Sequence, residues 1–139
     1  MTREIIEMHL QLIEGRLRDL KAKQPLSKEL FLADPTSQGA VTYWLVQAVE
    51  SCIQIGTTIV TSRKLPRSET YKDIFRTLYH QGIISESLKE ELVGLVGFRN
   101  LAVHLYWKVD PEALFRVLQS GVGHIEEFAR VAAKIVMQQ

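Results

Sequence analysis

The chain has 139 residues, 46% of them hydrophobic and 24% charged, proportions typical of a soluble globular domain. Its formal net charge of +1 excludes a protein that is strongly basic as a whole, so any contact with nucleic acid must come from a local patch of cations. A single cysteine suits a reducing compartment, and no apolar run approaches the roughly 20 residues that span a bilayer, so we expect one domain, residues 1–139, in the cytoplasm and away from membranes.

A regular apolar stripe predicts a first helix that runs to about Lys23. The stripe steps by four and three residues, as on the buried face of a bundle helix: Ile6, Leu10, Ile13, Leu17 and Leu20. Arg16 lies near the end of this helix, where we expect a solvated charge. His9 has no metal-type partner close by in the sequence, and we assign it no special role.

A second, long helix is predicted from the N-cap and first-turn pair Asp34-Pro35 to Thr61 or Ser62. Its inner stripe follows the same spacing: Val41, Leu45, Ala48, Cys52, Gly56 and Ile59. Because Cys52 falls on this stripe, we expect a small core residue rather than a reactive thiol.

Polar residues on and after this helix offer further candidate positions. Glu50 and Gln54 lie one turn apart on another face, where solvation is favoured over a part in catalysis. The connector that follows holds three cations around a proline: Arg63, Lys64 and Arg67. Either this is an ordinary solvated loop or, if the protein handles RNA, it is a patch that contacts phosphates.

Two shorter helices are predicted next. Ser68 is expected to cap the first and Gly82 to end it, and Ser85 is expected to start the second. Gly94 and Gly97 lie one turn apart within that second helix, where each costs on the order of 1 kcal/mol relative to alanine. Either close helix packing or room for a partner or a substrate favours them.

The second of these helices leads into the stretch RNLAVHLYW, in which Arg99, His104 and Tyr106 form the pattern R-x4-H-x-Y. A cation, an imidazole and a phenol together could bind phosphate, move a proton and offer a hydroxyl. At about 100° per residue, Arg99 and His104 lie roughly 140° apart on a helix, and His104 and Tyr106 about 160° apart. Either the helix distorts or ends near His104, or a second protomer completes the site. Trp107 is expected in the core rather than on a base-stacking surface.

The pair Asp110-Pro111 marks the start of the last helix, which is predicted to run to about Val136. The motif helix must end before this pair. The chain from about His104 onwards is therefore expected to leave helical geometry and to bring His104 and Tyr106 towards Arg99.

The R-x4-H-x-Y pattern, in the penultimate helix of a small all-helical chain, resembles the HEPN superfamily and most of all its HepT-like branch, the toxins of HepT–MntA toxin–antitoxin pairs. The resemblance covers essentially the whole chain, through the ordered stretches YWLVQAVESCIQIG, RKLPRSETYKDIFRTLYHQGII and GFRNLAVHLYWKVDPEALF. It implies an all-α fold: an antiparallel HEPN-type bundle of five to six helices, assembled as a homodimer.

The resemblance also implies a function, that of a metal-independent endoribonuclease toxin acting on tRNA or other RNA without a cofactor. The sequence agrees in having no zinc-type spacing of Cys and His and no carboxylate group that suggests magnesium. Arg99 and His104 would be catalytic, and Asn100 would orient His104 or the phosphate. An MntA-like nucleotidyltransferase antitoxin would neutralise the toxin by adding AMP to Tyr106. A second class stays open, a non-catalytic helical module that dimerises and binds a nucleotidyltransferase, although the presence of both Arg99 and His104 favours the enzyme.

Overall fold

The computed structural model describes residues 2–138, and every regular element within that range is helical. The elements follow in chain order: α1 (Thr2–Lys23), α2 (Lys28–Leu32), α3 (Pro35–Ser62), α4 (Tyr71–His80), α5 (Glu86–His104), a 3-10 turn (Tyr106–Lys108), α6 (Pro111–Arg116) and α7 (Val122–Met137). A π-helical segment, Val117–Gly121, joins α6 to α7 without a break, so these two form one long helix. The predicted all-α bundle of five to six helices is confirmed.

The predicted start of the central helix α3 is also confirmed. Asp34 is its N-cap, and the carboxylate accepts hydrogen bonds from Ser37 N at 3.1 Å and from Ser37 Oγ at 2.7 Å. Both bonds hold the pKa of Asp34 below its usual value, and the bond from the Ser37 hydroxyl has the larger effect. Ser85 caps α5 in the same way, since its Oγ accepts from Leu88 N at 3.1 Å. Both caps satisfy a backbone N–H that the first turn of a helix leaves unpaired.

The cap of α4 is Thr70, so the prediction of Ser68 is wrong. Thr70 has extended backbone (φ −130°, ψ 162°), and its Oγ1 accepts from Asp73 N at 3.2 Å, which is the geometry an N-cap requires. Ser68 lies earlier in the connector, out of reach of the first turn. The predicted end of the helix is confirmed, because α4 stops at His80 and Gly82 takes a φ of 75°, a left-handed conformation that glycine adopts without steric cost.

The core lies around α3, which packs against α1, α4, α5 and α7. The predicted stripe of α3 is buried, and so is the apolar stripe of the last helix: Leu114, Leu118, Gly121, Ile125, Phe128, Ala132 and Ile135. Cys52 is 1% exposed, and burial raises the pKa of its thiol to about 12, so its place in the core is confirmed. Phe75 from α4 and Phe128 from α7 meet edge to face, with ring centroids 5.6 Å apart. Each such buried side chain contributes about 1.5–3 kcal/mol.

Glycines mark close helix contact at one position and open space at another. A Cβ on Gly56 would lie 2.6 Å from Cγ2 of Ile74, so this glycine is what lets α4 approach α3. A Cβ on Gly97 would make an ordinary contact, 3.6 Å from Nζ of Lys72, and one on Gly94 would meet no described atom within 4 Å beyond its chain neighbours and the backbone of its own helix. Close packing within the bundle therefore explains Gly56 but not the two glycines of α5.

Candidate active site

The motif helix ends where its last residues change geometry. α5 is helical through His104, Leu105 N donates to Leu101 O at 2.8 Å, and Leu105 itself takes φ −137°, ψ 52° and ends the helix. The 3-10 turn Tyr106–Lys108 follows, and Asp110 caps α6 by accepting from Glu112 N. The predicted departure from helical geometry ahead of Asp110-Pro111 is confirmed.

Arg99 points inward from α5 and is held by three groups. Its side chain is 15% exposed, and Oε1 of Glu50 on α3 lies 3.5 Å from both its Nη2 and its Nε. Its Nη1 donates to Oδ1 of Asn100 at 3.1 Å, and its Cζ lies 5.3 Å from the ring centroid of Tyr71. Asn100 therefore orients Arg99, and among the described residues it makes no hydrogen bond to His104.

Beside Arg99 a cavity of about 410 Å³ opens between α1 and α3. Its wall combines residues of both helices with Tyr71 and Arg99: His9, Gln11, Leu12, Gly15, Arg16, Gln47, Glu50, Ser51, Ile53 and Gln54. Glu50 lines this wall with its side chain 47% exposed, and Gln54 lines the same cavity and is exposed, as expected. The reasoning from sequence missed this cavity.

Two residues of α1 bring further polar groups to the cavity. Nη1 of Arg16 donates to Oε1 of Gln47 at 2.8 Å, and Nη2 pairs with Asp19 at 3.0 Å. Nδ1 of His9 lies 3.2 Å from Oγ of Ser51, and burial lowers the pKa of this histidine. His9 and Arg16 are seven positions apart and so share one face of α1, and that spacing was the signal available in the sequence.

His104, Tyr106 and Trp107 lie on the outside of the bundle. Within residues 2–138, the His104 side chain and the Tyr106 hydroxyl make no hydrogen bond or ion pair. Tyr106 is 71% and Trp107 65% exposed, and their rings meet edge to face with centroids 5.3 Å apart. The prediction of a core position for Trp107 is wrong, because the 3-10 turn carries this side chain beyond the end of α5.

The described chain thus does not bring the motif residues together. Since α5 is regular through His104, Arg99 and His104 point about 140° apart around its axis. Of the hydrogen bonds and ion pairs within residues 2–138, none joins Arg99 to His104 or to Tyr106. The expectation that the end of the helix swings His104 and Tyr106 towards Arg99 is wrong. Completion of the site by a second protomer stays a prediction.

An apolar surface surrounds the exposed part of the motif, and we call it the motif face. It consists of Tyr43, Val103, Leu105, Tyr106 and Trp107, which are between 37% and 71% exposed. Three of them, Tyr43, Val103 and Tyr106, also line a depression of about 470 Å³ between α3 and the start of α6. Contiguous exposed apolar side chains of this kind mark interaction surfaces.

The basic connector begins at the C-terminal end of α3. Arg63 is the C-cap of α3, about 20 Å along the helix from Glu50 at 1.5 Å per residue. Lys64 takes a φ of 54° as the chain turns, and Lys64 and Arg67 line a separate depression of about 360 Å³. A phosphate contact at these three cations stays a prediction.

Residues 2–138 contain neither a cluster of metal ligands nor a membrane-spanning helix. No group of three or more His, Cys, Asp and Glu side chains there is placed to hold a metal ion. No helix in the same range is long and apolar enough to cross a membrane.

Comparison with known proteins decides the family. The family model described as Ribonuclease HepT-like matches residues 2–132. The chain belongs to the HepT-like ribonuclease family. The resemblance predicted from R-x4-H-x-Y is therefore confirmed.

Individual HepT proteins support the assignment. The mRNA nuclease HepT of Shewanella oneidensis is 31% identical over 101 residues, which cover 73% of this chain and 76% of that protein. The tRNA nuclease HepT of Aphanizomenon flos-aquae is 30% identical over 115 residues, which cover 82% of this chain and 78% of that protein. This chain also superposes on a solved structure, that of the tri-AMPylated Shewanella oneidensis HEPN toxin in complex with MNT antitoxin. The TM-score is 0.86 at 26% identity, and the match covers 94% of this chain and 97% of the other chain.

Proposed function

We propose that this HepT-like chain is an endoribonuclease toxin that cleaves RNA by side-chain chemistry, without a metal ion. Its family supports this function, as do two relatives of at least 30% identity, one named an mRNA nuclease and the other a tRNA nuclease. The substrate is accordingly RNA, with tRNA a candidate. The observation that carries the proposal is an arginine fixed in a cavity wall together with a histidine that is free on the surface of the same helix.

Arg99 and His104 divide the chemistry between them. His104 takes the proton of a ribose 2′-hydroxyl, and the freed oxygen attacks the adjacent phosphorus. The bond from phosphorus to the 5′-oxygen breaks, and that oxygen takes up the proton that the His104 imidazolium now carries. The products are a 2′,3′-cyclic phosphate and a 5′-hydroxyl. Arg99, oriented by Glu50 and Asn100, stabilises the negative charge that develops on the phosphate oxygens.

The meeting of arginine with histidine requires a homodimer. One protomer points Arg99 and His104 in directions about 140° apart, so a twofold pair is the arrangement that places both types of side chain on one phosphate. The motif face is apolar, exposed and adjacent to His104, which makes it suited to contact with a protein partner.

Control of the toxin would act at Tyr106. Its ring is 71% exposed, and its hydroxyl makes no hydrogen bond within residues 2–138, so the oxygen is accessible to a modifying enzyme. A nucleotidyltransferase antitoxin would transfer AMP from ATP as the phenol oxygen attacks the α-phosphorus, loses its proton and releases pyrophosphate. The added negative charge, close to His104 in the sequence, would repel RNA. The tri-AMPylated toxin in complex with its MNT antitoxin, among the solved structures similar to this chain, supports this proposal.

Cleavage of RNA in the presence of EDTA tests the proposed function. The unmodified protein should cleave single-stranded RNA, and His104→Ala should lose cleavage by at least about 10²-fold while retaining its helical content. His80→Ala is the matched control, because His80 is an exposed histidine at the end of α4. Cleavage that disappears in EDTA would contradict the side-chain mechanism. Inactivity of the unmodified protein would favour the non-catalytic module that binds a nucleotidyltransferase.

A further inference from the structure

We infer that the cavity between α1 and α3 binds one nucleotide of the RNA next to the phosphate that is cleaved, with Arg16 contacting a phosphate and Tyr71 stacking on the base. This inference rests on the proposed function and extends it to residues outside the R-x4-H-x-Y motif. Arg99 forms part of the wall of this cavity, so a nucleotide bound there lies against the guanidinium assigned to the reaction.

Arginine donors in the wall of the cavity suit an anion. Two guanidinium groups line it, those of Arg16 and Arg99, and each has one acidic partner, Asp19 for Arg16 and Glu50 for Arg99. Nε of Arg16 is buried and has no hydrogen-bond partner among the described residues, and Nε of Arg99 has only the Glu50 carboxylate, at 3.5 Å. A buried N–H without an acceptor costs on the order of 1–3 kcal/mol, so these poorly paired donors beside one cavity are better explained by a ligand that supplies acceptors. Phosphate oxygens are acceptors of that kind.

The size and lining of the cavity suit a nucleotide rather than a bare anion. Its volume of about 410 Å³ falls within the range of about 300–1,000 Å³ that small-molecule sites occupy. Tyr71 is 46% and Leu12 53% exposed at its wall, which offers an aromatic and an aliphatic surface for a base. One face of the Tyr71 ring already carries Arg99, at 5.3 Å, so a base would extend that stack.

Polar side chains in the wall of the same cavity can recognise the edge of a nucleobase. His9 and Ser51 lie 3.2 Å apart, and Gln47 and Gln54 bring amide donors and acceptors. Oε1 of Gln47 is already taken by Arg16, and its amide nitrogen donates to the Tyr43 hydroxyl at 2.7 Å. His9, Ser51 and Gln54 are therefore the groups available for contact with the base.

Binding of RNA to a protein that cannot cleave it tests this inference independently of catalysis. The variants are made in a His104→Ala background and titrated into a fluorescent single-stranded RNA oligonucleotide, with anisotropy as the readout. Arg16→Gln should weaken binding about fivefold at about 0.1 M salt and reduce the slope of log K against log salt by about 0.7, the loss of one phosphate contact on a single strand. Arg3→Gln is the matched control on α1, since Arg3 is 58% exposed in an ion pair with Glu7 and does not line the cavity.

A second pair of variants at Tyr71 separates base stacking from charge. Tyr71→Leu should weaken binding about tenfold, whereas Tyr71→Phe, which keeps the ring, should stay within about twofold. Because Tyr71 is 46% exposed, both should fold even if Arg16→Gln loosens α1 from α3. Thermal melting by circular dichroism reports that loss, and in that case the Tyr71 pair decides the question.

The outcomes separate the inference from the proposed function. If RNA binds to the background protein and Arg16→Gln and Tyr71→Leu bind it as Arg3→Gln does, the nucleotide pocket is refuted while the nuclease stands. If both variants weaken binding but the protein with His104 intact cleaves no RNA, the pocket stands and the proposed function fails. If the background protein binds no RNA, both are refuted.

Discussion

Glu50 allows a sharp test of how Arg99 is held, because its carboxylate is the acidic partner of that guanidinium. Oε1 of Glu50 lies 3.5 Å from two nitrogens of Arg99, at the outer limit of a hydrogen bond, and the Glu50 side chain is 47% exposed. An ion pair this exposed contributes about 0–1 kcal/mol to folding. Glu50→Ala should therefore lower the melting temperature by no more than about 4 °C.

Catalysis should respond more strongly than stability. Without Glu50, Arg99 keeps Asn100 and Tyr71 as neighbours, but its guanidinium is free to turn away from the phosphate. Since a misplacement of about 1 Å can cost on the order of 10²-fold, we expect kcat of Glu50→Ala to fall about tenfold or more. Glu50→Gln keeps an acceptor oxygen and removes the negative charge, so kcat should stay within about threefold and KM for RNA should fall.

Steady-state cleavage of one RNA oligonucleotide, with thermal melting of each variant, measures both effects. Glu14→Ala is the control, because Glu14 is 72% exposed in an ion pair with Arg18 on α1 and lies outside the cavity. An unchanged kcat in Glu50→Ala would refute the positioning role. Equal losses in Glu50→Gln and Glu50→Ala would show that the carboxylate itself takes part, for example as a proton acceptor.

Three further predictions concern other parts of the chain. Tyr106→Phe should retain RNA cleavage and gain no AMP mass in an intact-mass spectrum after co-expression with the nucleotidyltransferase, and modification at another residue would contradict the assignment. Gly94→Ala should stabilise the fold by about 1 kcal/mol, seen as a higher melting temperature, because a Cβ there meets open space. Gly56→Ala should instead destabilise it by about 1–3 kcal/mol, because its Cβ would lie 2.6 Å from Ile74, and equal effects of the two alanines would show that the described packing is wrong. Cys52, buried and with a pKa raised to about 12, should react with a thiol reagent at neutral pH only as fast as the protein unfolds, and rapid labelling of the folded protein would contradict its burial.

Local signals made the bounds of most helices predictable. The caps Asp34, Ser85 and Asp110 act on backbone atoms within three residues, so the sequence next to them contains the whole interaction. The apolar stripes of α1, α3 and the last helix likewise follow from helical periodicity. The error at Ser68 is of the same local kind, since Thr70 offers the same chemistry closer to the helix start.

The candidate site was less predictable, because its contacts join distant parts of the chain. Glu50 meets Arg99 across 49 positions, a contact that depends on how α3 and α5 are rotated against each other. Arg16 similarly reaches Gln47 across 31 positions. The prediction for Trp107 failed because hydrophobicity alone does not show whether a side chain in the turn after α5 packs against the core.

Mixing two inactive protomers tests most directly the central claim, that Arg99 and His104 act together across a homodimer. Arg99→Ala and His104→Ala should each be inactive as homodimers, and random pairing should restore roughly a quarter of the unmodified activity, because half the dimers are mixed and each has one intact site. Native mass spectrometry confirms that mixed dimers form. Mixed dimers without activity would contradict the claim and place the reaction within one protomer.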